Sequence, residues 1–61
     1  MKTISEKDIL TAQEVADLLK VSDDTVYELV RQGQIPYKRI GRQLRFLGWA
    51  IIEWIEKGEA S

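Results

Sequence analysis

The sequence predicts a mainly α domain with one small β-hairpin: three short helices and a two-stranded ribbon sharing a single core. Three observations carry that prediction. Two complete helix-start signals, at Thr11 and Ser22, each open an apolar stripe at helical spacing. The period then changes after Gly33, and from Tyr37 to Phe46 apolar and basic residues alternate about Gly41. A third helical stripe, Ile51, Trp54 and Ile55, follows before Gly58.

Taken in order, residues 1–8 are polar and expected to fray, as are those after Gly58, which leaves an ordered core of about residues 9–57 in one domain spanning 1–61. Thr11 is an N-cap, and Glu14, three residues on, can reach back to close a capping box, with Leu10 and Val15 as a hydrophobic staple. Val15, Leu18 and Leu19 form the apolar face, and Ala12 and Ala16 are small enough for close approach. Only Lys20 and Val21 separate this helix from the Ser22 cap of the next. A turn that short makes the helices cross steeply and leaves the second protruding, which is the geometry of a helix-turn-helix reader.

In the second helix Asp23 and Asp24 occupy the first turn, where the helix dipole favours acids. Val26, Leu29 and Val30 face inward, and Gly33 is the stop. Ile35 and Pro36 lead into the ribbon, which turns at Gly41, Arg42 and Gln43; Ile40, Leu44 and Phe46 are expected to hold its base on the helices. The final helix runs from about Gly48 to Lys57, with Ile51, Trp54 and Ile55 inward.

Composition narrows the chemistry. With 61 residues the chain is near the lower limit for folding without staples, and it has no Cys and no His. Disulfides, thiolate or imidazole metal sites and His- or Cys-based nucleophilic catalysis are therefore excluded, and no cofactor is expected. The segment after Met1 lacks the apolar centre of a signal peptide. The longest apolar run, Phe46 to Ile52, stops at Glu53, too short to span a bilayer, so the expected setting is cytoplasmic with no membrane partner. The acids are spread over helix surfaces and no glycine-rich loop cradles a phosphate, so an enzyme is not expected.

The formal charge of -1 argues against a polyanionic partner until its distribution is read. From Leu29 to Ile52 there is no acid, while Arg31, Lys38, Arg39, Arg42 and Arg45 all fall there; that window carries +5 and the rest of the chain -6. Like charges without counter-charges repel one another unless a ligand rewards them, and double-stranded DNA is the expected ligand.

At about 100° per residue, the second helix turns Asp24, Glu28 and Arg31 outward, with Thr25 and Tyr27 on the flanks. Arg31 can grip guanine in a bidentate fashion, Glu28 can accept from a cytosine amino group, and Thr25 can touch a thymine methyl or a phosphate. The amides near Ser22 suit a phosphate, although Asp23 and Asp24 add negative charge there. The competing interpretation is a solvated surface on which Glu28 and Arg31 simply pair at i, i+3. On the ribbon, Lys38 and Arg42, and Arg39 and Arg45, are expected to flank the tip and lie over phosphates or the minor groove.

The run Leu10-Thr-Ala-Gln-Glu-Val-Ala-Asp-Leu-Leu-Lys-Val-Ser22, then Thr25-Val-Tyr27, Gly33-Gln-Ile-Pro36, Arg39-Ile-Gly41, Arg45-Phe46 and Trp54-Ile55, resembles the excisionase-like DNA-binding domains. These are winged helix-turn-helix modules similar to the N-terminal domain of MerR-type regulators. The match covers about residues 9–56. The resemblance implies a winged helix, its second helix in the major groove and its wing on the backbone or minor groove. It also implies a role as an excision factor, which bends DNA and contacts an integrase, or as a small transcriptional regulator.

Asp23 and Asp24 depart from the family's DNA-compatible residues, and the pI of about 5.3 is low for it. Leu47, Gly48, Trp49 and Ile52 stand where charged residues are expected. Trp49 points outward on the last helix and Ile52 lies on its flank. Leu47, Trp49 and Ile52 therefore form a candidate interface for a recombinase (an integrase) or for a second copy of the chain. The alternative for Trp49 is that it folds onto Ile4, Ile9 or the hairpin.

Overall fold

Thr11 starts the first helix with the reciprocal bonds its sequence implies: the Glu14 amide donates to Thr11 Oγ1 at 3.1 Å, and the Thr11 amide donates to Glu14 Oε1 at 2.9 Å. The computed structural model describes residues 4–58, so the ends expected to fray lie partly outside the described residues. In chain order the elements are β1 (Ile9–Leu10), α1 (Ala12–Leu19), α2 (Asp23–Arg31), β2 (Lys38–Ile40), β3 (Gln43–Leu47) and α3 (Gly48–Lys57). This is the winged helix-turn-helix arrangement, three helices with an antiparallel hairpin. Among the described residues, no helix is long and apolar enough to cross a membrane.

Both α1 and α2 end in the same hydrogen-bonded motif. Val21 donates to the Ala16 carbonyl and Lys20 to that of Asp17; one helix later, Gln34 donates to Leu29 and Gly33 to Val30. Each pair is a Schellman termination with its pivotal residue in the left-handed region. In α2 that residue is Gly33, at φ 69°; in α1 it is Lys20, at φ 61°. An L-residue there carries a steric penalty of about 1–2 kcal/mol that glycine escapes. Lys20→Gly should therefore stabilise the domain by only a few tenths of a kcal/mol (about 0.3), after subtracting the lost charge at the helix C-terminus and the added freedom of the unfolded chain. Thermal unfolding would register that as a rise of roughly 1–3 °C in midpoint; a lower midpoint would mean Lys20 makes compensating contacts.

The hairpin closes through two residues, Gly41 and Arg42, rather than three, because Ile40 pairs with Gln43. Gly41 has φ 63° and Arg42 does not share the positive φ, the pattern of a type II′ turn that needs glycine first. The register continues as Arg39 opposite Leu44 and Lys38 opposite Arg45. Directly opposed residues share a face. Leu44 packs against the core and Phe46 is fully buried, so they define the inner face, and Arg39 lies on that side. Lys38, Ile40, Gln43, Arg45 and Leu47 fall on the outer face.

Two expectations are corrected by this register. Arg39 and Arg45 occupy opposite faces of the ribbon instead of pairing at its tip, and Lys38 is matched with Arg45, not Arg42. Ile40 does not hold the base of the hairpin: it is 54% exposed, because the two-residue turn puts it opposite Gln43 and away from the helices.

A third strand also joins the ribbon. Ile9 pairs with Leu47 and Leu10 with Phe46, giving the sheet order β1-β3-β2. The polar segment before it is folded from Ser5 onward. The Asp8 amide donates to the Ser5 carbonyl at 3.0 Å, the Ser5 amide to Asp8 Oδ2 at 2.8 Å, and the Lys7 amide to Ser5 Oγ at 3.2 Å. Ile4, half-buried, packs against the core.

That turn supplies the cap α3 lacks in its own sequence. Leu47, at the N-cap position, makes no side-chain cap bond; instead the Gly48 amide donates to the Asp8 carbonyl at 2.8 Å. A Cβ on Gly48 would lie 2.0 Å from the Ser5 carbonyl oxygen, so glycine here answers to a close backbone approach. At the other side of α3, Trp54 Nε1 donates to the Gln34 carbonyl at 2.9 Å, fixing the loop between α2 and β2. Ile51 is fully buried as expected, while Ile55, in the last turn of α3, is 43% exposed rather than inward. The core is Leu10, Ala12, Val15, Ala16, Val26, Ile35, Phe46 and Ile51, drawn from every layer except β2.

Candidate nucleic-acid interface

The inward stripe of α2 fixes what its other faces present. Val26 is fully buried and Leu29 and Val30 are half-buried against the core, which leaves Asp24, Thr25, Tyr27, Glu28 and Arg31 exposed. Ser22 is committed to its cap: its Oγ accepts from the Thr25 amide at 3.2 Å and shares a 3.0 Å hydrogen bond with the Thr25 hydroxyl. The Thr25 hydroxyl, a candidate for a phosphate, is thus already partnered with the capping hydroxyl of Ser22.

Between α2, the start of α1 and the ribbon runs an open cleft of about 510 Å³. Its walls bring Tyr27 together with Arg39, Arg42 and Arg45, so three of the four ribbon cations line the same cleft as α2. Asp23 is the one carboxylate in that lining. Its place in the first turn of α2 is one the helix dipole favours for an acid. Thr11, Gln13 and Gln43 also line the cleft. Sequence reasoning passed over Gln13 because nothing in a helix-start signal marks a residue that will face a hairpin thirty positions downstream.

The cations differ in how they are held. Arg31 Nη2 donates to Glu28 Oε1 at 2.9 Å, the pairing its i, i+3 spacing allows. Arg45 folds back along its own strand, donating to the Leu44 carbonyl at 2.7 Å and to Gln43 Oε1. Among the described residues, the ion pairs are Glu28–Arg31 and Glu53–Lys57, so Lys38, Arg39, Arg42 and Arg45 have no carboxylate within 4.0 Å. Lys38 and Arg45 sit directly opposite each other, an unfavourable cross-strand pair that a bridging anion would relieve.

The second candidate patch lies on the far side of the ribbon. Trp49 is 54% exposed, Leu47 and Ile52 are half-buried, and Trp49 and Leu47 share a recess of about 180 Å³ with Pro36, Tyr37, Lys38 and Ala50. Ile52, the third residue grouped from the sequence, is half-buried and lies outside the lining of that recess. Tyr37, which opens the apolar–basic alternation but was not singled out for an interface, lines the recess as well.

Comparison with known proteins follows the same lines. The family described as Helix-turn-helix domain matches residues 9–59. The chain is 50% identical over 42 residues, 69% of its length, to "Uncharacterized protein YvgK" of Bacillus subtilis (strain 168), of which it covers 14%. It is 44% identical over 48 residues, 79% of its length, to "Putative DNA-binding protein Rv0500A" of Mycobacterium tuberculosis (strain ATCC 25618 / H37Rv), of which it covers 62%. It is also 42% identical over 45 residues, 74% of its length, to "Putative antitoxin VapB50" of the same strain, covering 35% of that protein. The chain therefore spans only part of the length of these relatives. No solved structure gives a significant match.

Proposed function

The chain belongs to the helix-turn-helix domain family, and from that premise we propose that it binds double-stranded DNA sequence-specifically, with α2 in the major groove and the ribbon on the adjacent backbone or minor groove. The observation that supports this reading is the shared cleft, which Tyr27 of α2 and the ribbon residues Arg39, Arg42 and Arg45 all line. The nine residues of α2 extend about 13 Å, a length the major groove accepts. Thr25, Tyr27 and Arg31 are its base-facing candidates, with Asp24 and Glu28 beside them. Lys38, Arg39, Arg42 and Arg45 hold phosphates, and Ser22 orders the approach of α2 by its cap. The name of the Mycobacterium tuberculosis relative Rv0500A points the same way. The role that fits a domain of this size is that of an excisionase-like recombination accessory factor or a small transcriptional regulator.

Association should weaken with salt in proportion to the phosphates neutralised. Four ribbon contacts give a slope of log affinity against log salt of roughly -3.6. Fluorescence anisotropy on a selected duplex, titrated at several salt concentrations, measures it. A flat response would remove the ribbon from the interface.

A second reading is favoured by the exposed Trp49 and Tyr37 beside Leu47: this recess is a contact surface for a second copy of the chain. Trp49→Glu should leave the unfolding midpoint nearly unchanged, because the indole is half in water, and should abolish self-association in sedimentation. Loss of the fold instead would place Trp49 among the residues the core needs.

A further inference from the structure

The carboxylate of Glu28 is engaged on both oxygens. Oε1 accepts from Arg31 Nη2 at 2.9 Å and Oε2 accepts from Gln32 Nε2 at 2.9 Å. Gln32, the C-cap residue of α2, was not a candidate on sequence grounds, since i, i+4 spacing alone does not tell a partner from a neighbour. The Arg31 side chain is 78% exposed and that of Glu28 49%, so this cluster contributes little to stability and the fold does not depend on it. Its effect is geometric. A long arginine free in solvent samples many rotamers, whereas one tied to a carboxylate a turn earlier presents a planar fork in a set direction.

Resting on the DNA reading above, we infer that Glu28 does not read a base itself: it is a positioning residue that aims Arg31 at a guanine and restrains that cation from phosphate binding. One of the five guanidinium N–H donors goes to Glu28, which leaves enough for the two bonds to guanine O6 and N7. Gln32, having given an amide hydrogen to the carboxylate, keeps its side-chain carbonyl oxygen as an acceptor for an amino-bearing base next to that guanine. The acids of α2 acquire a purpose on this account. Asp23, Asp24 and Glu28 outnumber Arg31 on that helix, so α2 adds little unspecific attraction. Affinity then comes from the ribbon and discrimination from the helix.

The test compares wild type, Glu28→Ala, Arg31→Ala and the double variant. Each is measured on a duplex selected from random pools by the wild type, on single-base-pair variants of that duplex, and on random duplex. Glu28→Ala should lose roughly two- to fivefold of the discrimination at the guanine read by Arg31, the most that restraint by an exposed pair can supply. The same variant should bind random duplex about fivefold more tightly, through loss of one negative charge near the phosphates. Arg31→Ala should lose discrimination at that same base pair, and the double variant no more than Arg31→Ala alone. The inference is overturned if Glu28→Ala relaxes selectivity at a different, cytosine-bearing position while leaving the Arg31 guanine intact, or if the two losses simply add. A wild type that fails to bind even random duplex at low salt sinks the DNA reading itself, a result distinct from either. Helical content and unfolding midpoint, followed on the same samples, should be unchanged in all variants.

Discussion

Gly48→Ala should cost about 3 kcal/mol and leave most of the protein unfolded near physiological temperature. The added methyl would sit 2.0 Å from the Ser5 carbonyl oxygen and 3.1 Å from that of Asp8, both main-chain atoms that cannot rotate aside. Relief requires the Ser5–Asp8 turn to lift, which breaks the 2.8 Å bond from the Gly48 amide and draws half-buried Ile4 off the core. Overpacking of this kind costs about 1–3 kcal/mol, and an amide stripped of its partner at a buried helix start adds about 1–3. A core of this size supplies only about 3–5 kcal/mol in total. The gain in helix propensity from alanine, about 1 kcal/mol, offsets part of this and no more. Gly41→Ala is the control: nothing lies within 4 Å of a Cβ there, so only the strain of a positive φ remains. Urea unfolding of both variants should rank Gly48→Ala well below Gly41→Ala; equal losses would mean that the N-terminal turn can detach freely.

The second large effect concerns binding and leaves the fold alone. Replacing Arg39, Arg42 and Arg45 together by Gln should weaken association with duplex DNA roughly a hundredfold at physiological salt and flatten the salt slope by about 2.7. Arg39 and Arg42 are exposed and Arg45 is bonded only within its own strand, so the core loses nothing. Removing the opposition of Arg45 to Lys38 should even raise the unfolding midpoint slightly. Weakened binding with an unaltered slope would mean that the guanidinium groups contact bases rather than phosphates.

Whatever depended on neighbours in the chain was legible in the sequence. The Thr11–Glu14 box, the Ser22 cap and the Gly33 stop are interactions over three to five residues, and each is where its spacing puts it. The charge window put Arg39, Arg42 and Arg45 on the ribbon, whereas their sharing a cleft with α2 depends on the packed structure. What was illegible depended on distant backbone. Ile9 and Leu10 are too few to show a strand's alternation, and their partners Leu47 and Phe46 come from the far end of the ribbon. Gly48 looked like a substitution on an apolar surface, and only the Ser5 carbonyl explains it. The ribbon's register turned on whether its bend had two residues or three, a one-residue difference that exchanges the faces of Arg39 and Ile40.

The bond from the Trp54 indole to the Gln34 carbonyl lies on the only stretch of chain that links α2 to the ribbon. The spacing between α2 and the ribbon is thereby governed from α3, a helix outside the cleft. On the DNA reading proposed above, mutational drift on that remote helix retunes which operator geometries are accommodated, by tilting one element against the other, without altering a single side chain of the proposed interface.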